Sequence, residues 1–138
     1  MNEQTKDGVY ALCDIVRQTA YDIHCYLGPG HIEKVYENAL AHRLRKKGFK
    51  VITQYQSEVF DEDGERLGVF FADLFVDDRL IVEVKAVKVL IDEHIAQMLG
   101  YLRSADIEYG VVINFGYNFK ARMLAYSKKY HEPESKIL

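Results

Sequence analysis

Apolar residues recur at three- and four-residue spacing from Val9 to Leu27. Val9, Leu12, Cys13, Val16, Ala20, Ile23 and Leu27 fall on one face of a helix that begins near Gly8. Gly28-Pro29-Gly30 ends it, since glycine takes a left-handed cap and proline cannot continue a helix. A second helix runs from about Ile32 to Lys47, and its basic end (Arg43, Arg45, Lys46, Lys47) suits the negative pole of the helix dipole. Three strands follow: Phe49 to Phe60, Arg66 to Val76 and Leu80 to Val87, separated by the turns Asp61-Glu62-Asp63-Gly64 and Asp77-Asp78. A third helix covers about Ile91 to Ser104, and a short apolar strand runs from Tyr109 to Phe115. The tail from Phe119 to Tyr130 reads as a helix carrying Lys120, Arg122, Lys128 and Lys129, and the last few residues read as frayed. This order predicts an α/β fold with a central mixed four-stranded sheet flanked by helices, plus an extra N-terminal helix and a C-terminal helix.

Some positions break the pattern. Leu80-Ile81-Val82-Glu83-Val84-Lys85-Ala86-Val87 is apolar at six positions, yet Glu83 and Lys85 sit two apart and share a face. Burying two charges costs several kcal/mol per ion, roughly, unless they are paired. The strand before it, Val69 to Val76, is apolar on both faces with Asp73 as its one charge. A three-residue connection, Asp77 to Arg79, puts Asp73 opposite Glu83, whereas a two-residue turn puts it on the other face. Convergence is expected, because it lets the three charges offset one another.

The second helix repeats the theme. At about 100° per residue, Glu33, Tyr36, Glu37, Leu40 and Leu44 fall in one stripe, so both glutamates lie along or beside the buried face. Dipole stabilisation of the first turn accounts for Glu33 better than for Glu37. On the third helix Ile91, Ile95, Met98, Leu102 and Ala105 form the apolar stripe, with His94, Gln97 and Tyr101 beside it. That polar stripe is either the border of an amphipathic helix or one wall of a site.

With 138 residues, 49% hydrophobic and 28% charged, the chain reads as one soluble domain spanning residues 1–138. It has no run of 18 apolar residues and no charged-then-apolar leader, so neither a membrane span nor a signal peptide is expected. The net charge of −3 argues against an overall nucleic-acid coat but leaves room for a local basic groove. Cys13 and Cys25 lie about 18 Å apart along one predicted helix, too far for a disulfide, which suits a reduced, cytoplasmic protein. His24, Cys25 and His31 offer a weak alternative metal set without paired-cysteine spacing.

Crowded carboxylates repel one another unless a cation lies between them, and all-oxygen donors favour Mg²⁺ or Mn²⁺ over zinc. A neighbouring lysine can orient water or stabilise charge on a phosphate oxygen. Together these suit metal-assisted hydrolysis of a phosphodiester.

Asp73 followed by Glu83-Val84-Lys85 resembles the D…ExK signature of the PD-(D/E)XK nuclease superfamily, with Ala72 at the usual proline. Gln97-Met98-Leu99-Gly100-Tyr101 is similar to its QxxxY motif, and Gly30 to Tyr36 reads GxxExxY, the name of one branch of that superfamily. The Leu27-Gly28-Pro29-Gly30 loop, His94-Ile95-Ala96-Gln97 and Ile113-Asn114-Phe115 extend the resemblance over nearly the whole chain. It implies a restriction-endonuclease-like αβββαβ core. It also implies Mg²⁺ held by Asp73 and Glu83 with the Val84 carbonyl, Lys85 acting on water or phosphate, and a helix carboxylate from Glu33 or Glu37. Gln97 and Tyr101 would support the site, with His94 beside them. The implied function is a Mg²⁺- or Mn²⁺-dependent nuclease acting on DNA ahead of RNA. A homodimer would give so small a domain more contact area. The alternatives are a non-catalytic module that binds nucleic acid or protein on the same fold, and an ion-pair cluster that only fixes sheet register.

Overall fold

The computed structural model describes residues 6–127 and 132–138. In chain order the elements are α1 (Lys6–Leu27), α2 (Glu33–Lys46), β1 (Val51–Phe60), β2 (Arg66–Val76), β3 (Leu80–Lys85), α3 (Asp92–Ala105), β4 (Tyr109–Asn114), β5 (Lys120–Ser127) and β6 (Glu132–Ile137). The strands form one six-stranded sheet in sequence order. Among the described residues only β3 and β4 run parallel, joined by the α3 crossover. The result is a mixed α/β fold.

Two apolar layers hold the sheet. Val9, Val16, Ile23, Tyr36, Leu40 and Leu44 of α1 and α2 bury one face against Leu74, Val76, Leu80, Val82, Val84, Val111 and Ile113. On the other face Ile95, Met98 and Leu102 of α3 pack on Phe75, Ile81, Val112 and Leu124. β3 and β4 are covered on both sides, which explains why they read as continuous apolar runs.

The loop between α1 and α2 is latched by Tyr36. Its hydroxyl donates to the Gly28 carbonyl at 2.6 Å and accepts from the His31 amide at 3.1 Å, and its ring stacks on Phe115 at 4.7 Å. Gly28 and Gly30 have φ of 71° and 108°, conformations that side chains oppose. Three residues of the Gly30–Tyr36 motif thus build the entry to α2: Gly30 turns the chain, Glu33 begins the helix and Tyr36 fastens the loop.

The expected C-terminal helix is not formed: residues 120–127 are strand β5, paired antiparallel with β4, and residues 128–131 lie outside the described part. The expected four-stranded sheet is accordingly six-stranded, and the stretch read as a frayed end contributes β6, paired with β5. Lys120-Ala121-Arg122-Met123-Leu124 favours a helix by intrinsic propensity. The sheet overrides it, because β4 is buried and its open edge needs a hydrogen-bonding partner. Ala121 and Met123 then face the α1–α2 layer while Leu124 faces α3.

Candidate functional site

The connection between β2 and β3 is three residues long, with Val76 opposite Leu80 and Leu74 opposite Val82. Continued by one step, this register sets Asp73 against Glu83. There the backbone ladder stops and side chains take over. The Asp73 amide donates to Glu83 Oε1 at 3.3 Å, and the Val84 amide donates to Asp73 Oδ2 at 2.8 Å.

The other side of Asp73 is interrupted as well. β1 and β2 pair through Thr53↔Leu74 and Tyr55↔Ala72, and the intervening pair, Gln54 with Asp73, is absent from the ladder. Gln54 has a φ of 51°, uncommon for a residue with a Cβ. Faces switch at this point on both strands. Ala72 and Phe75, three apart, both belong to the α3-side cluster, as do Ile52 and Tyr55. The register is the same on both sides of the missing pair, so the left-handed backbone at Gln54, not an extra residue, re-aims the side chains and lets Gln54 reach Glu37 of α2.

Gln54 Nε2 donates to Glu37 Oε1 at 2.8 Å and to Asp73 Oδ1 at 3.3 Å, so it bridges two carboxylates. Sequence reasoning missed it. The register arithmetic was the available signal, since Gln54 lies opposite Asp73, but a positive φ has no mark in the sequence. Glu37 is only 4% exposed, and its other oxygen accepts from Lys34 Nζ at 2.6 Å.

Burial holds Glu37 above the usual carboxylate range. The hydrogen bond from Lys34 opposes this, and the charge and hydrogen bonding of Asp73 reinforce it. Burial pushes Glu83 up to about 8, with the charge and hydrogen bonding of Asp73 adding to it, while the Asp73 amide and the Lys85 ammonium pull it partly back. Asp73 is therefore the hub between two glutamates that are both short of water. By alternation Glu83 and Lys85 share the α3 side with Ile81. Tyr101 reaches the same region. Burial raises its hydroxyl first, then the charges of Glu83 and Asp73, and its ring stacks on Phe70 at 4.0 Å.

The remaining candidates lie around this centre. Glu33 Oε2 accepts from the Ala86 amide at 3.0 Å, tying the start of α2 to the residue after Lys85. Gln97 is exposed one turn before Tyr101. His94 accepts through Nδ1 from the Ile91 amide at 3.1 Å, which caps the start of α3. Asn114 is fully buried and clamps the exit of β3: Oδ1 accepts from Val87 N and Nδ2 donates to Val87 O, at 3.0 and 2.9 Å. A Cβ on Gly116 would lie 2.0 Å from the Val87 carbonyl oxygen, so only glycine permits this approach.

Residues 10–125 match the family described as the PD-(D/E)XK nuclease superfamily. The chain belongs to that superfamily. Membership points to a nuclease-type function on nucleic acid, and nucleases of this superfamily generally use divalent metal ions. No curated protein matches the chain. Among the described residues, no helix is long and apolar enough to cross a membrane.

The donor chemistry fits a hard cation. Among the described residues no three His, Cys, Asp or Glu side chains form a ready-made cage, and His24, Cys25 and His31 are not brought into one. Mg²⁺, however, is ordinarily bound by one or two carboxylates and several waters. Asp73 and Glu83 provide two carboxylates in contact, and the Val84 carbonyl would add a third oxygen donor. Burial first, and the charge of Asp73 second, favour the protonated form of Glu83, and a cation between the two carboxylates would offset both. Both cysteines are free, and burial pushes the Cys13 thiol up to about 12, leaving it inert.

Proposed function

We propose that this protein is a nuclease that hydrolyses phosphodiester bonds, dependent on Mg²⁺ or Mn²⁺, with DNA ahead of RNA as substrate. The observation that carries the reading is the contact of Asp73 with Glu83 on one side and, through Gln54, with Glu37 on the other, with Lys85 on the Glu83 face. A sheet that needed only register would not link three carboxylates in a row where its ladder is interrupted on both sides of Asp73.

In this reading Asp73 and Glu83 hold the ion, with the Val84 carbonyl. Bound there, the metal supplies a lowered water pKa and a clamp on the phosphate. Lys85 orients the attacking water or stabilises charge on a non-bridging oxygen. The Phe115 amide donates to the Lys85 carbonyl at 2.7 Å, and with the Asn114 clamp this fixes the backbone from which that side chain projects. Glu37, through Gln54, aligns Asp73, and Glu33 fixes the chain just beyond Lys85. Tyr101 closes the α3 side, with Gln97 a turn away and His94 setting the helix start. Val69 and Phe71, exposed on the same strand just before Asp73, offer apolar surface for bases.

The GxxExxY motif, with its latch at Tyr36, supports placement in that branch. We also read residues 1–138 as one nuclease domain in the cytoplasm, and a homodimer as its working form. The test is a cleavage screen over single strands, duplexes, ends and junctions of DNA and RNA with Mg²⁺ and Mn²⁺. Metal-dependent products from the wild type that vanish in Asp73→Asn support the reading. No product from any substrate with either metal contradicts it and leaves a binding module.

A further inference from the structure

The basic end of α2 divides into two kinds of side chain. Arg45 and Lys47 are exposed but tied back to the protein: Arg45 Nη2 donates to the Val51 carbonyl at 2.8 Å and Lys47 Nζ to Thr19 Oγ1 at 2.9 Å. Arg43 and Lys46 take no part in any ion pair among the described residues, where the paired cations are Lys34, Lys50 and Arg66. They line a groove of about 630 Å³ together with Tyr26, His42 and Lys47. The Arg43 guanidinium lies 5.9 Å from the centre of the Tyr26 ring, and Tyr26 is 79% exposed.

No carboxylate lines this groove. Two smaller cavities are lined by Asp106 and Glu108, one of them also by Asp78 and Arg79, so acidic groups predominate there. In a chain of net charge −3, gathering three fixed cations and a histidine around one concavity is a local arrangement rather than an overall excess. The helix C-terminus opposes it with only about half a negative charge.

We propose that this groove grips the sugar-phosphate backbone of a nucleic-acid strand outside the cutting centre. Arg43 and Lys46 contact phosphates, Lys47 adds positive charge at the groove's edge while bonded to Thr19, and Tyr26, steadied by Arg43, offers its ring to a sugar or base. The choice of a nucleic acid over another polyanion rests on the nuclease reading; the groove itself does not. Lys46 follows Glu37 by nine residues, which is about 13 Å along the helix and half a turn around it. The groove therefore meets nucleotides that flank the scissile bond, on the far side of α2.

The test is fluorescence anisotropy of labelled single- and double-stranded DNA and RNA 20-mers, in EDTA so that nothing is cut, across a salt series. The proteins compared are the wild type, Arg43→Gln/Lys46→Gln, Tyr26→Ala and the conservative Arg43→Lys, each checked for unchanged thermal unfolding. Each lost phosphate contact lowers the slope of log Kobs against log salt by about 0.9 on duplex and about 0.7 on single strands. The double variant should lose roughly twice that and bind more weakly, Tyr26→Ala should bind more weakly without changing slope, and Arg43→Lys should keep the slope. An unchanged slope in the double variant overturns the proposal. So does a wild type that ignores nucleic acid but binds polyglutamate through these residues, since the partner is then an acidic protein. The nuclease reading is checked separately, by the wild-type cleavage screen over DNA and RNA with Mg²⁺ and Mn²⁺. Failure there with groove-dependent nucleic-acid binding intact supports the groove and sinks the nuclease.

Discussion

The main-chain amide of Asp73 donates to the carboxylate of Glu83 at 3.3 Å, at the step where the β2–β3 backbone ladder ends. Two acidic residues thus face each other across a gap that an uninterrupted sheet would close. The gap lets a carboxylate occupy a position where backbone would otherwise pair with backbone. It also leaves Glu83 short of water, and that has consequences measurable without knowing the substrate.

The first concerns pH. The Glu83 carboxyl moves from an ordinary 4.5 to about 8 on folding, through burial first and Asp73 second. Below the ordinary value it is protonated in both states. Between the two values the unfolded chain has released the proton and the folded chain keeps it, so stability falls as pH rises and levels off above about 8. The metal-free protein should lose melting temperature steadily from pH 5 to 8, and Glu83→Gln should flatten much of that slope. Parallel curves for the two proteins would count against a buried, protonated Glu83. The raised Glu37 acts in the same direction and leaves a residual slope in the variant.

Metal binding should release that proton. Mn²⁺ titrated calorimetrically at pH 7, in buffers of different ionisation enthalpy, should liberate roughly one proton per ion. Release should fade above pH 9, where Glu83 is already ionised. Asp73→Asn should bind far more weakly; affinity equal to wild type would place the ion elsewhere.

Gln54 separates backbone strain from side-chain bridging. Its φ of 51° opposes any residue with a Cβ, by about 1 kcal/mol or more. Both Gln54→Ala and Gln54→Gly remove the bridge from Glu37 to Asp73 and should weaken metal binding alike. Urea unfolding should find the glycine variant about 1 kcal/mol more stable than the alanine one. Equal stabilities would mean that the strand relaxes at this position.

Tyr36→Phe keeps the stack on Phe115 but removes a hydroxyl that makes two hydrogen bonds to the α1–α2 loop. A loss of about 1–3 kcal/mol in unfolding free energy is expected, with metal affinity little changed. A large drop in metal affinity at unchanged stability would make Tyr36 part of the site rather than its support.

Much of this arrangement can be read along the chain. Alternation puts Glu83 and Lys85 on one face, and the length of the Asp77–Arg79 connection decides that Asp73 lies opposite Glu83. The helical stripe of α2 places Glu37 beside the core. Which glutamate is linked to Asp73 depends on Gln54, and that rests on a left-handed backbone angle with no sequence signature. The tail departs from its helical expectation for another reason. Residues 120–127 carry helix-favouring side chains, and only the open edge of β4, a non-local feature, makes them a strand. His94 lies on the same stripe as Gln97 and Tyr101, yet its ring turns back to cap the helix start, a local competition that periodicity does not report.

Lys85 tests the central claim most directly, because it is the one member of the set that a merely structural carboxylate cluster, or a passive metal site, would not need for turnover. The measurement is single-turnover cleavage with saturating Mg²⁺ or Mn²⁺ on the best substrate from the screen, comparing wild type with Lys85→Ala and recording substrate affinity alongside. The account predicts a rate lower by about 10²- to 10³-fold, the usual loss when a stabilising group is removed from a transition state, with metal binding retained. Full cleavage activity in Lys85→Ala would contradict it.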